Sequence, residues 1–111
     1  MFESIPIRLR PNGVDLDQFL FESDLSETDL EGHGFRFEDV SDDIGPARVC
    51  FIRVDESRYF ILQLRPTMPE VRLHVWGVTT ISVAEQIDQF VAATGFKSED
   101  VSYRVDRRYV G

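Results

Sequence analysis

Eight carboxylates stand against one base, Arg36, in the twenty residues 24–43, DLSETDLEGHGFRFEDVSDD. Side chains of that kind can ligate a hard cation, work as an acid and base pair, face a basic partner, or simply stay in water. A calcium loop of the EF-hand kind needs oxygen ligands at alternate positions, glycine at the sixth and glutamate at the twelfth. Counted from Asp24 those two places hold Asp29 and Phe35, and counted from Asp15 the sixth is Leu20, so the template fails. Acid and base catalysis by paired carboxylates requires burial or a neighbour that separates their pKa values, and a run this polar does not predict burial. No metal and no cofactor is expected from these residues.

Other chemistry finds equally little. His33 lies between glycines in a loop pattern and His74 on a strand pattern, far apart and in no HxH or HExxH spacing. There is no GxSxG elbow, and Gly32, Gly34 and Gly45 build neither GxGxxG nor a Walker loop. Cys50, the one cysteine, sits between Val49 and Phe51 in an apolar run, where burial makes a thiol inert. Near the C-terminus Arg104, Arg107 and Arg108 interleave with Tyr103 and Tyr109, a pattern that can stack on bases. It is short, and pairing of these arginines with the acidic run of the same chain is the plainer reading. An enzyme would have to draw on scattered residues, with His33, His74, Glu31 and Asp39 as candidates.

Charge narrows the partner. The chain of 111 residues carries a net charge of -8. Between Asp15 and Asp43 eleven acids face Arg36, a local net of 1 - 11 = -10, so the remainder is -8 + 10 = +2. Phosphate-backbone binding draws on basic charge that this chain lacks, so no nucleic-acid partner is expected. A basic protein is the natural counterpart. The N-terminus MFESIPIRLRP has no basic start with an apolar run, and no stretch reaches the roughly 18 apolar residues of a membrane helix, so the expectation is a cytoplasmic protein without a membrane partner.

The elements that must position these residues follow from spacing. The alternation Ile5, Ile7, Leu9 predicts a strand ending in the turn Pro11-Asn12-Gly13, with Pro6 placing it at a sheet edge or limiting its pairing. Residues 14–22, VDLDQFLFE, are ambiguous, since Val14, Leu16, Phe19 and Leu20 fit a short helical face while Phe19 and Phe21 fit a strand; helix is the expectation, and 23–34 read as loop before Phe35 and Phe37 reopen an extended stretch. Two apolar runs around Asp55-Glu56-Ser57 predict a hairpin. Its register sets Val54 against Arg58, Ile52 against Phe60 and Cys50 against Leu62 on one core face. A third strand follows over 71–76, and Val101, Tyr103 and Val105 alternate as a last one.

One helix is strongly marked. Ser82 and Glu85 suit a capping box, and Val83, Ala84, Ile87, Phe90 and Val91 form one apolar stripe. Gly95 then supplies a left-handed cap with Phe96 closing it. The expected fold is α+β: a single domain over 1–111, with an antiparallel sheet of four to five strands, a main helix at about 83–94 on one face, and an acidic loop-rich segment at about 15–43.

On this register the second sheet face displays Phe51, Arg53, Tyr59, Ile61, Arg72, His74 and Trp76, rich in the residue types that dominate protein interfaces. Either residues 14–37 fold across that face and complete the core, or part of it stays open for a partner or a second copy of the chain. The functional expectation is a protein-binding module rather than an enzyme, an inhibitor or immunity-type protein that blocks a basic nuclease or toxin. Asp24, Glu27, Asp29, Glu31, Asp39, Asp42 and Asp43 would steer it, and Phe51, Tyr59 and Trp76 would anchor it beside Arg53, Arg72 and His74. The alternative is an acidic secretion chaperone or assembly subunit acting as a homodimer.

Overall fold

The computed structural model describes residues 2–67 and 71–106. The elements run β1 (Glu3–Ile5), a 3-10 turn at Ile7–Leu9, β2 (Gln18–Ser23), α1 (Glu27–Glu31), β3 (Glu38–Asp42), β4 (Gly45–Arg53), β5 (Tyr59–Leu64), β6 (Leu73–Gly77), α2 (Val83–Thr94), a 3-10 turn at Ser98–Asp100 and β7 (Tyr103–Arg104). All strands join one antiparallel sheet in the order β1-β4-β5-β6-β2-β7, with β3 also on β4. Among the described residues the sheet therefore has seven strands rather than four or five. β1 and β3 take successive lengths of the same edge of the nine-residue β4, Ile5 opposite Phe51 and Glu38 opposite Val49.

That shared edge shortens the first strand predicted. Past Ile5 the place beside β4 belongs to Glu38, and Pro6 has no N–H to offer a ladder. The chain leaves the sheet there, and the N–H of Ile7 donates to the Glu38 carboxylate at 2.8 Å.

The hairpin forms as its spacing predicts. Ile52 pairs Phe60, Cys50 pairs Leu62, and the N–H of Val54 donates to the carbonyl of Arg58 at 3.0 Å. Asp55 fixes the turn, because its Oδ1 accepts from the N–H groups of Ser57 and Arg58, both at 2.9 Å. Those amides hold its carboxyl below the usual carboxylate range.

The strongly marked helix is α2. Ser82 Oγ accepts from the N–H of Glu85 at 3.2 Å, and Gly95 closes the other end at φ 81°. The Glu85 carboxylate turns toward Arg58, 3.9 Å away. Ile87 and Phe90 are buried against Phe21, Phe60, Leu62, Leu73 and Val75, and Phe96 meets Phe90 edge-on at 4.9 Å. α1 contributes Leu30, followed by Phe35, to the same core. Both helices thus lie on one face of the sheet.

Two expectations for residues 14–34 are corrected. In place of the helix expected over 14–22, residues 14–17 are irregular and 18–22 belong to strand β2, whose register shifts between Phe19 and Phe21. A bulge lets two successive residues, Leu20 and Phe21, turn inward, and that apolar doublet imitates helical spacing. The loop expected over 23–34 contains α1, begun by a capping box in which Ser26 Oγ accepts from the N–H of Asp29 and Asp29 accepts from that of Ser26. The last strand is reduced to Tyr103–Arg104. Arg107, Arg108 and Tyr109 lie outside the described residues.

Candidate docking surface

Side chains alternate across a strand, so each strand shows one set to the helices and the other to the second face. Register sets Phe51 of β4, Ile61 of β5, Trp76 of β6 and Phe19 of β2 in one row across that face. Beside it runs a second row, Val49, Gln63, His74, Glu22 and Tyr103.

What covers the row follows from topology. β1 and β2 are four strand spacings apart, roughly 19 Å at about 4.8 Å each. Residues 6–17 must bridge that distance, and α1 and α2 occupy the other face. The strap accordingly crosses the second face: the Arg10 guanidinium lies over the Phe51 ring, 5.9 Å from its centroid, and its Nη2 donates to the carbonyl of Val14 at 2.6 Å. Leu16 in the strap is buried, as are Ala47, Val49 and Phe51, all outside the helix-side cluster.

Of the two alternatives for this face, full cover by residues 14–37 is therefore corrected. Only its first residues belong to the strap. Residues 18–23 are in the sheet, while Phe21, Phe35 and Phe37 pack with the helix-side core.

The far half of the row is less covered. Phe19, Ile61, His74 and Trp76 are half-buried, and Tyr103 keeps 40% of its surface. Phe19 is the centre of this patch, 5.5 Å from the rings of both His74 and Trp76 and stacked on Tyr103 at 6.3 Å. Phe19 and Tyr103 were not among the residues assigned to this face from sequence, which set Phe19 on a short helix and Tyr103 on a last strand without a neighbour. The bulge hid the first, and the second acquires its neighbours only because β7 pairs with β2. At the other end of the face Tyr59 stacks flat on Phe51, at 5.4 Å and 2°, and Arg53 pairs with Glu3 at 2.8 Å.

The acidic residues do not form one surface. Glu27 and Asp39 both grip Arg48, at 2.8 and 3.0 Å, on the helix side of the sheet. Arg48 holds the Glu27 carboxyl below its usual range, chiefly through their hydrogen bonds. Asp29 closes the α1 cap and Glu31 ends that helix, so both are on the helix side as well. Asp43 is exposed at the β3–β4 turn, and the Asp42 side chain lies outside what the structure describes. Asp24 pairs with Arg72 at 2.8 Å, and Arg72, two residues before His74, also faces Glu22 at 3.5 Å. Asp15 and Asp17, four and two residues before Phe19 in the chain, are exposed on the strap and paired with no cation among the described residues.

Catalytic combinations are weak by contrast. His74 Nε2 lies 2.8 Å from Glu22 Oε1, a histidine and carboxylate pair, and among the described residues no thiol or hydroxyl is hydrogen-bonded to the imidazole. His33 lines a groove with Leu25, Phe96 and Lys97, away from His74. Cys50 is fully buried, and burial pushes its thiol pKa up. Among the described residues no three His, Cys, Asp or Glu side chains form a group able to hold a metal ion. Among the same residues no helix is long and apolar enough to cross a membrane.

Compared with family models, with curated proteins and with solved structures, the chain matches none.

Proposed function

We propose that this protein is an acidic protein-binding module that masks a basic partner, in the manner of an inhibitor or immunity protein acting on a nuclease or toxin domain. The supporting observation is that the strap leading into β2 carries exposed carboxylates, Asp15 and Asp17, without a cation partner among the described residues, just ahead of Phe19 in the partly exposed aromatic patch that Phe19 forms with Trp76 and Tyr103 on the sheet face opposite α1 and α2. Acidic charge accelerates encounter with a basic surface and takes the place of the phosphates such a surface binds. Aromatic side chains supply anchors at little entropic cost. Asp43 adds to the long-range field from the sheet edge, while Glu27 and Asp39 serve first to hold Arg48.

The test is affinity capture from lysate of the source organism, followed by association kinetics with the captured protein. A basic protein should bind in stoichiometric amount at low salt and be lost at about 0.5 M, where the Debye length has shrunk to a few ångströms. The double substitution Asp15→Asn and Asp17→Asn should slow association several-fold at low salt, on the order of the steering effect of rim charges. A partner that is acidic, or an association rate indifferent to both salt and the double substitution, would refute the reading.

A further inference from the structure

Row and rim together specify more than a basic partner. Trp76 has its backbone paired on both sides, by Ile61 and Phe19, and its indole N–H is shielded from solvent without an acceptor among the described residues. What the half-exposed side chain offers is therefore ring carbon. Phe19 and Tyr103 add two more rings, stacked with 19° between their planes, and His74 meets Phe19 edge-on. An aromatic face of this kind attracts a planar cation electrostatically and by stacking, and a guanidinium suits it better than a compact, strongly hydrated ammonium.

The molecule already contains that arrangement at the near end of the same row. There the chain's own Arg10 lies over Phe51 and is held by the carbonyl of Val14. At the far end Asp15 and Asp17 stand exposed on the segment leading into β2, supplying the opposite charge that a bound cation requires.

We infer that the patch formed by Phe19, Trp76 and Tyr103 receives an arginine side chain of the partner, laid over the rings as Arg10 is laid over Phe51, with Asp15 and Asp17 as its counter-charge. This rests on the reading of the protein as a binder of a basic partner, and it names the group through which that partner is gripped.

Trp76 is the one tryptophan in the chain, so its fluorescence reports on the patch directly. The probes are an oligo-arginine peptide and oligo-lysine and oligo-citrulline peptides of equal length, titrated into the full chain at low salt. Oligo-arginine should change Trp76 emission saturably and bind about fivefold tighter than oligo-lysine, while the uncharged citrulline peptide should give no response. Tyr103→Ala, at an exposed position, should erase most of the arginine preference while circular dichroism stays that of the wild type. Equal affinity for arginine and lysine, unaltered by Tyr103→Ala and without a Trp76 response, would overturn the inference. If that shared affinity still fell on Asp15→Asn and Asp17→Asn, the acidic-module reading would stand without the arginine site. If neither cationic peptide bound, both would fall.

Discussion

Gln86 on α2 holds both backbone groups of Val78: its Oε1 accepts from the Val78 N–H at 2.9 Å, and its Nε2 donates to the Val78 carbonyl at 2.8 Å. The same Nε2 donates to the carbonyl of Ile81 at 2.9 Å, so one fully buried amide secures the chain between β6 and α2. A Cβ at Gly77 would collide with Gln86 Oε1 and crowd Leu20, which reserves that position for glycine.

Substituting Gln86→Leu preserves bulk and removes every one of these bonds. Three partly buried backbone groups lose their partner, and the expected destabilisation is about 2–4 kcal/mol, read from the urea midpoint. A midpoint unchanged within error would show that water replaces the amide without loss.

The grip of Glu27 on Arg48 gives the protein a predictable acid response. Hydrogen bonds from Arg48 depress the folded-state pKa of Glu27 below its ordinary value of 4.5. The stabilisation is therefore complete above that ordinary value and is lost as pH falls through the lower folded one. Glu27→Gln should cost about 1 kcal/mol at neutral pH, since the pair is only partly buried. The gap between variant and wild type should close below pH 4.5. A gap constant through that range would assign the cost to packing instead.

Cys50 is enclosed in the core with Ser4 Oγ at 3.6 Å, and its thiol pKa is raised by burial. Modification by an aromatic disulfide reagent at mildly alkaline pH should be at least on the order of 100-fold slower in the folded protein than in urea, because the thiol must wait for the core to open. Rapid reaction of the native protein would place Cys50 at the surface.

Arg10 ties the strap to the sheet through Phe51 and the Val14 carbonyl. Arg10→Met keeps the aliphatic stem and discards the guanidinium, and it should destabilise the fold by about 1 kcal/mol. Arg10→Lys should recover only part of this, because an ammonium neither stacks nor reaches the carbonyl in the same way. Full recovery by lysine would reduce the contact to simple charge.

Legibility in the sequence tracked how local each determinant is. The β4–β5 hairpin and α2 were readable to the residue because adjacent alternation, an Asp turn, a serine cap and a closing glycine act within a few positions. β2 was not, since the bulge after Phe19 breaks the period on which strand recognition depends. The Ser26-Asp29 box that opens α1 was present in the sequence, but only one residue of that helix, Leu30, is buried, and an otherwise polar pentapeptide has no stripe to detect.

For the candidate surface the division is similar. The sequence by itself determined the excess of acid, the two faces of the hairpin, and the placing of Phe51, Tyr59, His74 and Trp76 away from the core face, all of them consequences of charge count and period two. Only the tertiary structure decided which acids meet which cations, that β2 lies beside β6 and so brings Phe19 to Trp76, and that residues 6–17 cross one half of the open face. Strand order and the path of a crossing segment depend on contacts between residues far apart in the chain, and no local spacing encodes them.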